Sequence, residues 1–245
     1  MPGPFDVALV ILFAALWPLA EYLWLWPCHV RSVEAGDAGA RSRAYARILV
    51  EEWALAAGVL ALTLWRARPL ATLGLGMSAG WRLWLGVALP VVYSFLWVSQ
   101  VRALMARPQA LAKLRGKVAP LRALVPHTAA EFRLFVPLSF TAGICEELLF
   151  RGYLVWVLQA WIGPWPAALV SMVAFGLGHA YQGRKFAMRA FFTGVGMGLL
   201  ALITGSILPG MALHALIDLG SGWIVNTALR GAPSVEGPTA KKGMA

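Results

Sequence analysis

The sequence predicts an all-α protein, a polytopic bundle of about seven transmembrane helices. Of its 245 residues, 60% are hydrophobic and 13% are charged, whereas soluble domains average about 45–50% apolar and ~25% charged residues. Its apolar residues fall in runs of the length that a helix needs to cross the hydrocarbon core, about 20 residues. This composition excludes a soluble globule and a disordered chain. The two cysteines, Cys28 and Cys145, lie too far apart in sequence to suggest a disulfide scaffold.

Seven segments qualify as membrane spans. The first has no Lys or Arg before Arg31, so it lacks the basic start of a signal peptide and we expect a retained helix. Gly205 and Ser206 separate the last two, which predicts a tight helical hairpin. In the sixth, the spacing of Gly194 and Gly198 predicts close packing against a neighbouring helix. The predicted spans are 4–26, 48–65, 81–101, 134–158, 164–181, 187–204 and 207–229.

The basic residues predict the orientation of the bundle. With the N-terminus outside and the C-terminus inside, 17 of the 21 Lys and Arg residues lie in inner segments and three in outer segments. Such a bias is typical of membrane proteins, whose cytoplasmic loops are rich in Lys and Arg. The net charge of +10 is therefore explained by topology, and no nucleic-acid partner is expected.

The chain divides into three parts. Residues 1–133 hold the first three spans and a basic amphipathic inner segment, 108–126, which Pro120 is expected to kink. That segment either lies on an anionic inner leaflet or packs on the bundle as a solvated loop. Residues 134–229 hold the last four spans, and the polar tail 230–245 is expected to be disordered.

Ionisable residues inside a bilayer are costly and therefore indicate function by default. The early acids have simpler explanations. Glu51 follows Arg47 by four residues, a helical neighbour, and Glu51 and Glu52 fall in the expected first turn of their span, where the helix dipole favours negative charge. Glu21 can reach the interface or act as a supporting partner inside the bundle.

The later ionisable residues are harder to explain structurally. Glu147 and Arg151 are four residues apart, so one helix face can carry an ion pair. Glu146 is rotated away from that face and has no local partner. An unpaired carboxyl group in low dielectric suits general acid or base catalysis.

Two further pairs have the same four-residue spacing, Phe175 with His179 and His214 with Asp218. One free carboxylate and two histidines on separate helices suit either a metal site or a water-activating pair with groups for an oxyanion. The predicted spans place Glu146 and Asp218 near mid-membrane but His179 near an inner end. Helix tilt or a longer fifth span would be needed to bring them together.

Glu146-Glu147-x-x-x-Arg151, Phe175-x-x-x-His179 and His214-x-x-x-Asp218 together resemble the three-motif signature of the CPBP intramembrane proteases. That family includes the type II CAAX prenyl endopeptidases, which process CAAX-box proteins, and the Abi group. The resemblance covers about 134–229 and implies a membrane-embedded peptide hydrolase. Its substrate would be a membrane-associated protein or peptide.

The resemblance also implies a role for each motif residue. Glu146 would activate the attacking water, assisted by His179, while Glu147 and Arg151 would orient the site. His214 would stabilise the oxyanion. Since an ionised carboxylate cannot donate a hydrogen bond, Asp218 is expected to orient His214 instead.

Two questions stay open at this point. Glu146, His179 and His214 form a two-histidine, one-carboxylate set like that of catalytic zinc sites, which would make the protein a metalloprotease, but a metal-independent glutamate mechanism is equally compatible. Two other functions also remain: a non-proteolytic scaffold or immunity protein, and a proton-coupled transporter. The excess of Arg over Lys, 16 to 5, hints at a bacterial source and hence the inner membrane.

Overall fold

The computed structural model describes residues 1–76, 79–118 and 122–230, and this part of the chain is helical and has no β-strand. The predicted all-α class is therefore confirmed. Short 3₁₀ turns at Leu70–Leu73 and Ala180–Gln182 lie between helices. The helices are α1 (Pro4–Glu34), α2 (Ala40–Trp65), α3 (Trp81–Met105), α4 (Pro108–Val118), α5 (Ala129–Glu146), α6 (Val155–Ile162), α7 (Pro164–Gly178), α8 (Arg184–Thr204) and α9 (Leu208–Arg230).

The helices have the character of an integral membrane protein. In the described ranges, five of them are long and apolar enough to cross a membrane: α1, α2, α3, α8 and α9. Large apolar side chains such as Trp24, Phe95 and Phe192 are exposed on the outside of the bundle, as expected for surfaces that face lipid. The count of seven spans and the orientation of the termini stay predictions.

The bundle is organised around α5, which packs against α2 and α9, while α7 packs against α8. A Cβ atom at Gly143 would lie 2.7 Å from the backbone nitrogen of Ala215, so the glycine allows α5 and α9 to approach closely. On the other side of α5, the Trp53 indole N–H donates a hydrogen bond to Thr141 Oγ1 at 3.0 Å. This bond fixes the rotation of α2 against α5.

Between α5 and α6 the helix continues through a π-helical stretch, Glu147–Leu154, called here the π segment; all of its residues are buried. A π turn interrupts the usual backbone hydrogen-bond ladder and is often found at functional sites. The Phe150 carbonyl in the π segment accepts a hydrogen bond from the Ser171 hydroxyl at 2.7 Å. The α7 helix therefore supports the irregular backbone.

A buried ion pair ties down the start of α1. Asp6 is fully buried, and Arg68 donates to its two carboxylate oxygens at 2.6 and 2.8 Å. The Tyr153 hydroxyl donates to the same carboxylate at 2.7 Å. The hydrogen bond to Asp6 raises the pKa of Arg68, which lies in the loop after α2.

The structure corrects one helix boundary that matters for function. The α2 helix begins at Ala40 rather than at residue 48, so Glu51 and Glu52 lie in its middle and the helix dipole does not explain them. Arg41 binds Glu131 at 3.0 Å. Arg47 donates through Nη1 and Nη2 to the two carboxylate oxygens of Glu21 at 2.8 and 3.0 Å. These contacts with α5 and α1 hold the polar first turns helical.

The amphipathic segment is a helix over Pro108–Val118. The kink expected at Pro120 and the tail 231–245 lie outside the described residues, whereas Arg230 ends α9.

Candidate active site

The predicted site residues come from three separate stretches of helix that meet at one cavity. Glu146 ends α5, His179 follows α7, and His214 and Asp218 lie in α9. These four side chains line a cavity of about 440 Å³ with largely apolar walls, a size typical of ligand sites. Glu147 and Arg151 lie behind it in the π segment.

The orientation of His214 is set by Glu147. The Nδ1 atom of the imidazole donates a hydrogen bond to Glu147 Oε1 at 2.9 Å. The Nε2 atom is left facing Glu146 Oε2 at 3.6 Å and Asp218 Oδ2 at 3.7 Å, both beyond hydrogen-bond distance. The carboxylate that holds the ring is therefore Glu147 rather than Asp218, the residue expected for that role.

The predicted pairing of Glu147 with Arg151 is present and fully enclosed. Arg151 Nη1 donates to Glu147 Oε1 at 3.1 Å, and the two side chains are 2% and 0% exposed, respectively. The guanidinium carbon lies 4.1 Å from the centre of the Phe175 ring, which is a cation–π geometry. A Cβ at Gly194 would lie 2.8 Å from Arg151 Nη2, so the close packing predicted for this glycine brings α8 against the site.

His179 is held by its own helix. Its Nδ1 lies 2.9 Å from the Phe175 carbonyl oxygen, and since a carbonyl only accepts hydrogen bonds, Nδ1 carries the proton of this bond. The Nε2 atom is left to interact with groups in the cavity. The end of α7 at Gly178 places His179 on the same cavity as Glu146, although the sequence suggested different depths.

The expected zinc ligands, Glu146, His179 and His214, can be compared with what a metal requires. Nothing in the described ranges forms a group of three or more His, Cys, Asp or Glu side chains arranged to hold a metal ion. The Nδ1 atom of each histidine is hydrogen-bonded, to the Phe175 carbonyl and to Glu147, which leaves the Nε2 atoms on the side of the cavity, as metal-binding histidines would also have them. A bound zinc ion therefore stays a prediction, and no chemical step is routed through a metal below.

Glu52 has a structural explanation from sequence, and Tyr181 and Arg189 were not singled out there, yet all three reach the cavity. Glu52 lines it from α2, and Tyr181 and Arg189 line it after α7. One signal was available for Glu52: Arg47 can pair with Glu51, its neighbour four residues on, which leaves Glu52 without a local cation.

Comparison with known families agrees with the motifs. Residues 128–220 match the family model described as type II CAAX prenyl endopeptidase Rce1-like, and the match spans Glu146, Glu147, Arg151, His179, His214 and Asp218. No curated protein and no solved structure gives a significant match to the chain. The match supports the predicted CPBP membership through residues 128–220, the part of the chain that is similar to the Rce1-like type II CAAX prenyl endopeptidases.

Proposed function

We propose that the protein is an intramembrane endopeptidase that hydrolyses a peptide bond of a membrane-associated protein or peptide, with Glu146 as the base that activates water. The observation that carries the proposal is the shared cavity of Glu146, His179 and His214, which comes from α5, the end of α7 and α9. Its mostly apolar walls suit a peptide with apolar side chains. A bacterial plasma membrane is the proposed location.

In the first step, the Glu146 carboxylate accepts a proton from water, and the hydroxide attacks the carbonyl carbon of the scissile bond. Glu146 is 19% exposed at its side chain, so water in the cavity can reach it. No described cation pairs with it at salt-bridge distance except the His214 ring. A carboxylate that is not neutralised by an arginine remains available as a base.

In the second step, the oxyanion of the tetrahedral intermediate is stabilised by His214. Because Nδ1 donates to Glu147, a proton on Nε2 makes the ring an imidazolium that can donate to the oxyanion. The Glu147 carboxylate balances this charge. Arg151 in turn holds Glu147 in place.

In the last step, the C–N bond breaks and the leaving amine takes a proton. Glu146 collected that proton from water, and His179 can pass it on through Nε2, since Nδ1 is fixed on the Phe175 carbonyl. The products are a new carboxyl terminus and a new amine, and the enzyme returns to its starting protonation state. Removal of such a proton-transfer group typically costs about 10²–10⁴-fold in rate.

The test is a cleavage assay in proteoliposomes with a library of membrane-anchored peptides, whose products are mapped by mass spectrometry. Wild type should cleave, and Glu146→Gln should not, because an amide cannot take the proton. Glu34→Gln is the matched control, since Glu34 is exposed at the end of α1, and it should cleave like wild type.

The same samples distinguish the other functions. Bound metal is measured by inductively coupled plasma mass spectrometry, and stoichiometric zinc together with loss of cleavage on chelation would overturn the metal-free route. Absence of cleavage by wild type would refute the proposal and favour a scaffold or a transporter.

A further inference from the structure

Glu52 lies on the buried face of α2, where a carboxylate is unexpected. Tyr45 lies seven residues before it, and Ala56 and Val59 lie four and seven residues after it. All three are fully buried. These positions share one helix face. A charged group on such a face is costly unless something compensates for it.

The neighbours of Glu52 keep it pointed toward the catalytic helix. Arg47, one turn before Glu51, binds Glu21 on α1 at 2.8 Å, and Trp53 donates to Thr141 on α5. Because these contacts join α2 to two other helices, α2 has little freedom to rotate. Glu52 therefore stays between two cavities, the main one and a smaller one of about 110 Å³, and Glu146 and His179 line both.

The Glu52 carboxyl group has an oxygen atom that no described protein group engages. Its Oε2 atom is buried and has no hydrogen-bond partner in the described part of the chain, and the charges of Glu146 and Asp218 act on it unfavourably. The charged and titratable groups that line the two cavities with Glu52 are Glu21, Glu51, Glu146, His179, Tyr181, Arg189, His214 and Asp218.

We propose that Glu52 is a further catalytic residue, which accepts a hydrogen bond from a reacting molecule beside Glu146. Two groups of the reacting molecules could donate this hydrogen bond to Glu52. They are the second O–H of the attacking water and the N–H of the scissile amide as it becomes an amine. In either case the carboxylate orients the reacting group without exchanging a proton with it. The inference rests on the proposed function, and it adds a contribution from α2, which lies outside the matched residues 128–220.

The experiment compares Glu52→Leu, Glu52→Gln and the control Glu34→Gln at the exposed end of α1, each reconstituted in proteoliposomes. Two substrates of the same sequence are used, one with the scissile amide and one with an ester in its place, which lacks the N–H. Values of kcat and KM are measured for both. Unfolding midpoints and monodispersity show whether each variant is folded.

We expect Glu52→Leu to lower kcat about 10- to 100-fold, the range for hydrogen bonds to charged groups, with little change in KM. Glu52→Gln retains an acceptor oxygen and should lose less, and it keeps the test open if the leucine variant does not fold. An equal loss on amide and ester would identify water as the donor. A loss on the amide alone would identify the scissile N–H.

A folded Glu52→Leu variant with wild-type kcat on both substrates would overturn the inference while leaving the proposed function intact. The same holds if Glu34→Gln loses as much as Glu52→Gln, since the effect would then not belong to this side chain. If wild type cleaves neither substrate, the proposed function and the inference both fail.

Discussion

Removing one partner of the Glu147–Arg151 pair should be far more damaging than removing both. The two side chains are 0% and 2% exposed and 3.1 Å apart, so a single replacement leaves the other charge buried without compensation. Such a loss costs about 3–5 kcal/mol of folding free energy. We therefore expect Glu147→Leu and Arg151→Met each to destabilise the protein by about that amount.

The double variant carries neither charge. Its remaining defect is the His214 Nδ1–H, which loses its acceptor, and an unsatisfied buried donor costs about 1–3 kcal/mol. The double variant should therefore be more stable than either single one, and the coupling free energy should be at least about 3 kcal/mol.

The assay is equilibrium unfolding in mixed micelles with increasing sodium dodecyl sulfate, followed by tryptophan fluorescence. The exposed Asp37–Arg43 pair serves as a control, and its single and double variants should unfold like wild type. If the effects of Glu147→Leu and Arg151→Met simply add, the two groups do not act as a buried pair, and the role assigned to Arg151 in holding Glu147 is wrong.

Three other changes have defined outcomes. Gly194→Ala places a Cβ 2.8 Å from the Arg151 guanidinium, so it should cost about 1–3 kcal/mol of folding free energy and reduce cleavage. Gly196→Ala is the control because its Cβ meets no atom within 4 Å, and similar unfolding curves for the two variants would contradict the prediction. Asp6→Asn should lower the unfolding free energy but leave the kcat of the folded enzyme unchanged, because Asp6 lies outside the cavity; a fall in kcat would show that it belongs to the catalytic machinery. Burial lowers the pKa of His127 below its ordinary value of 6.5, so the unfolded state binds the proton more readily and the stability from this group is lost as pH falls below about 6.5. His127→Gln should therefore flatten the pH dependence of the unfolding midpoint between pH 7.5 and 5.5, and an unchanged slope would refute the prediction.

Much of the site could be predicted because its motifs follow the local geometry of a helix. The four-residue spacing of Glu147 and Arg151 predicts their contact, and the structure shows it at 3.1 Å. Gly194 likewise marks a close approach of two helices. The helical class follows from composition and from the length of the apolar runs, because only helices and closed barrels satisfy the backbone in lipid and runs of about 20 residues fit helices.

The remaining features depend on contacts between distant segments. Two ion pairs hold the start of α2 at Ala40, Arg41 with Glu131 and Arg47 with Glu21. The partners are 90 and 26 residues apart in the sequence. No local pattern reveals such partners. Without them, the polar residues before position 48 resemble a loop.

The same reason explains why Glu52 and the partner of His214 were not predicted. Whether a carboxylate of α2 faces the site depends on the rotation of the helix, which Trp53 fixes through Thr141 on α5. Similarly, the π segment turns Glu147 toward His214, whereas a four-residue pattern within α9 favoured Asp218. Interactions across helices decided both cases.

The most direct test of the account is hydrolysis in ¹⁸O-labelled water by wild type and Glu146→Gln, with the new carboxyl terminus analysed by mass spectrometry. The account predicts one ¹⁸O atom in the wild-type product and no product from the variant. An unlabelled new terminus, or a Glu146→Gln variant that cleaves at the wild-type rate, would contradict it.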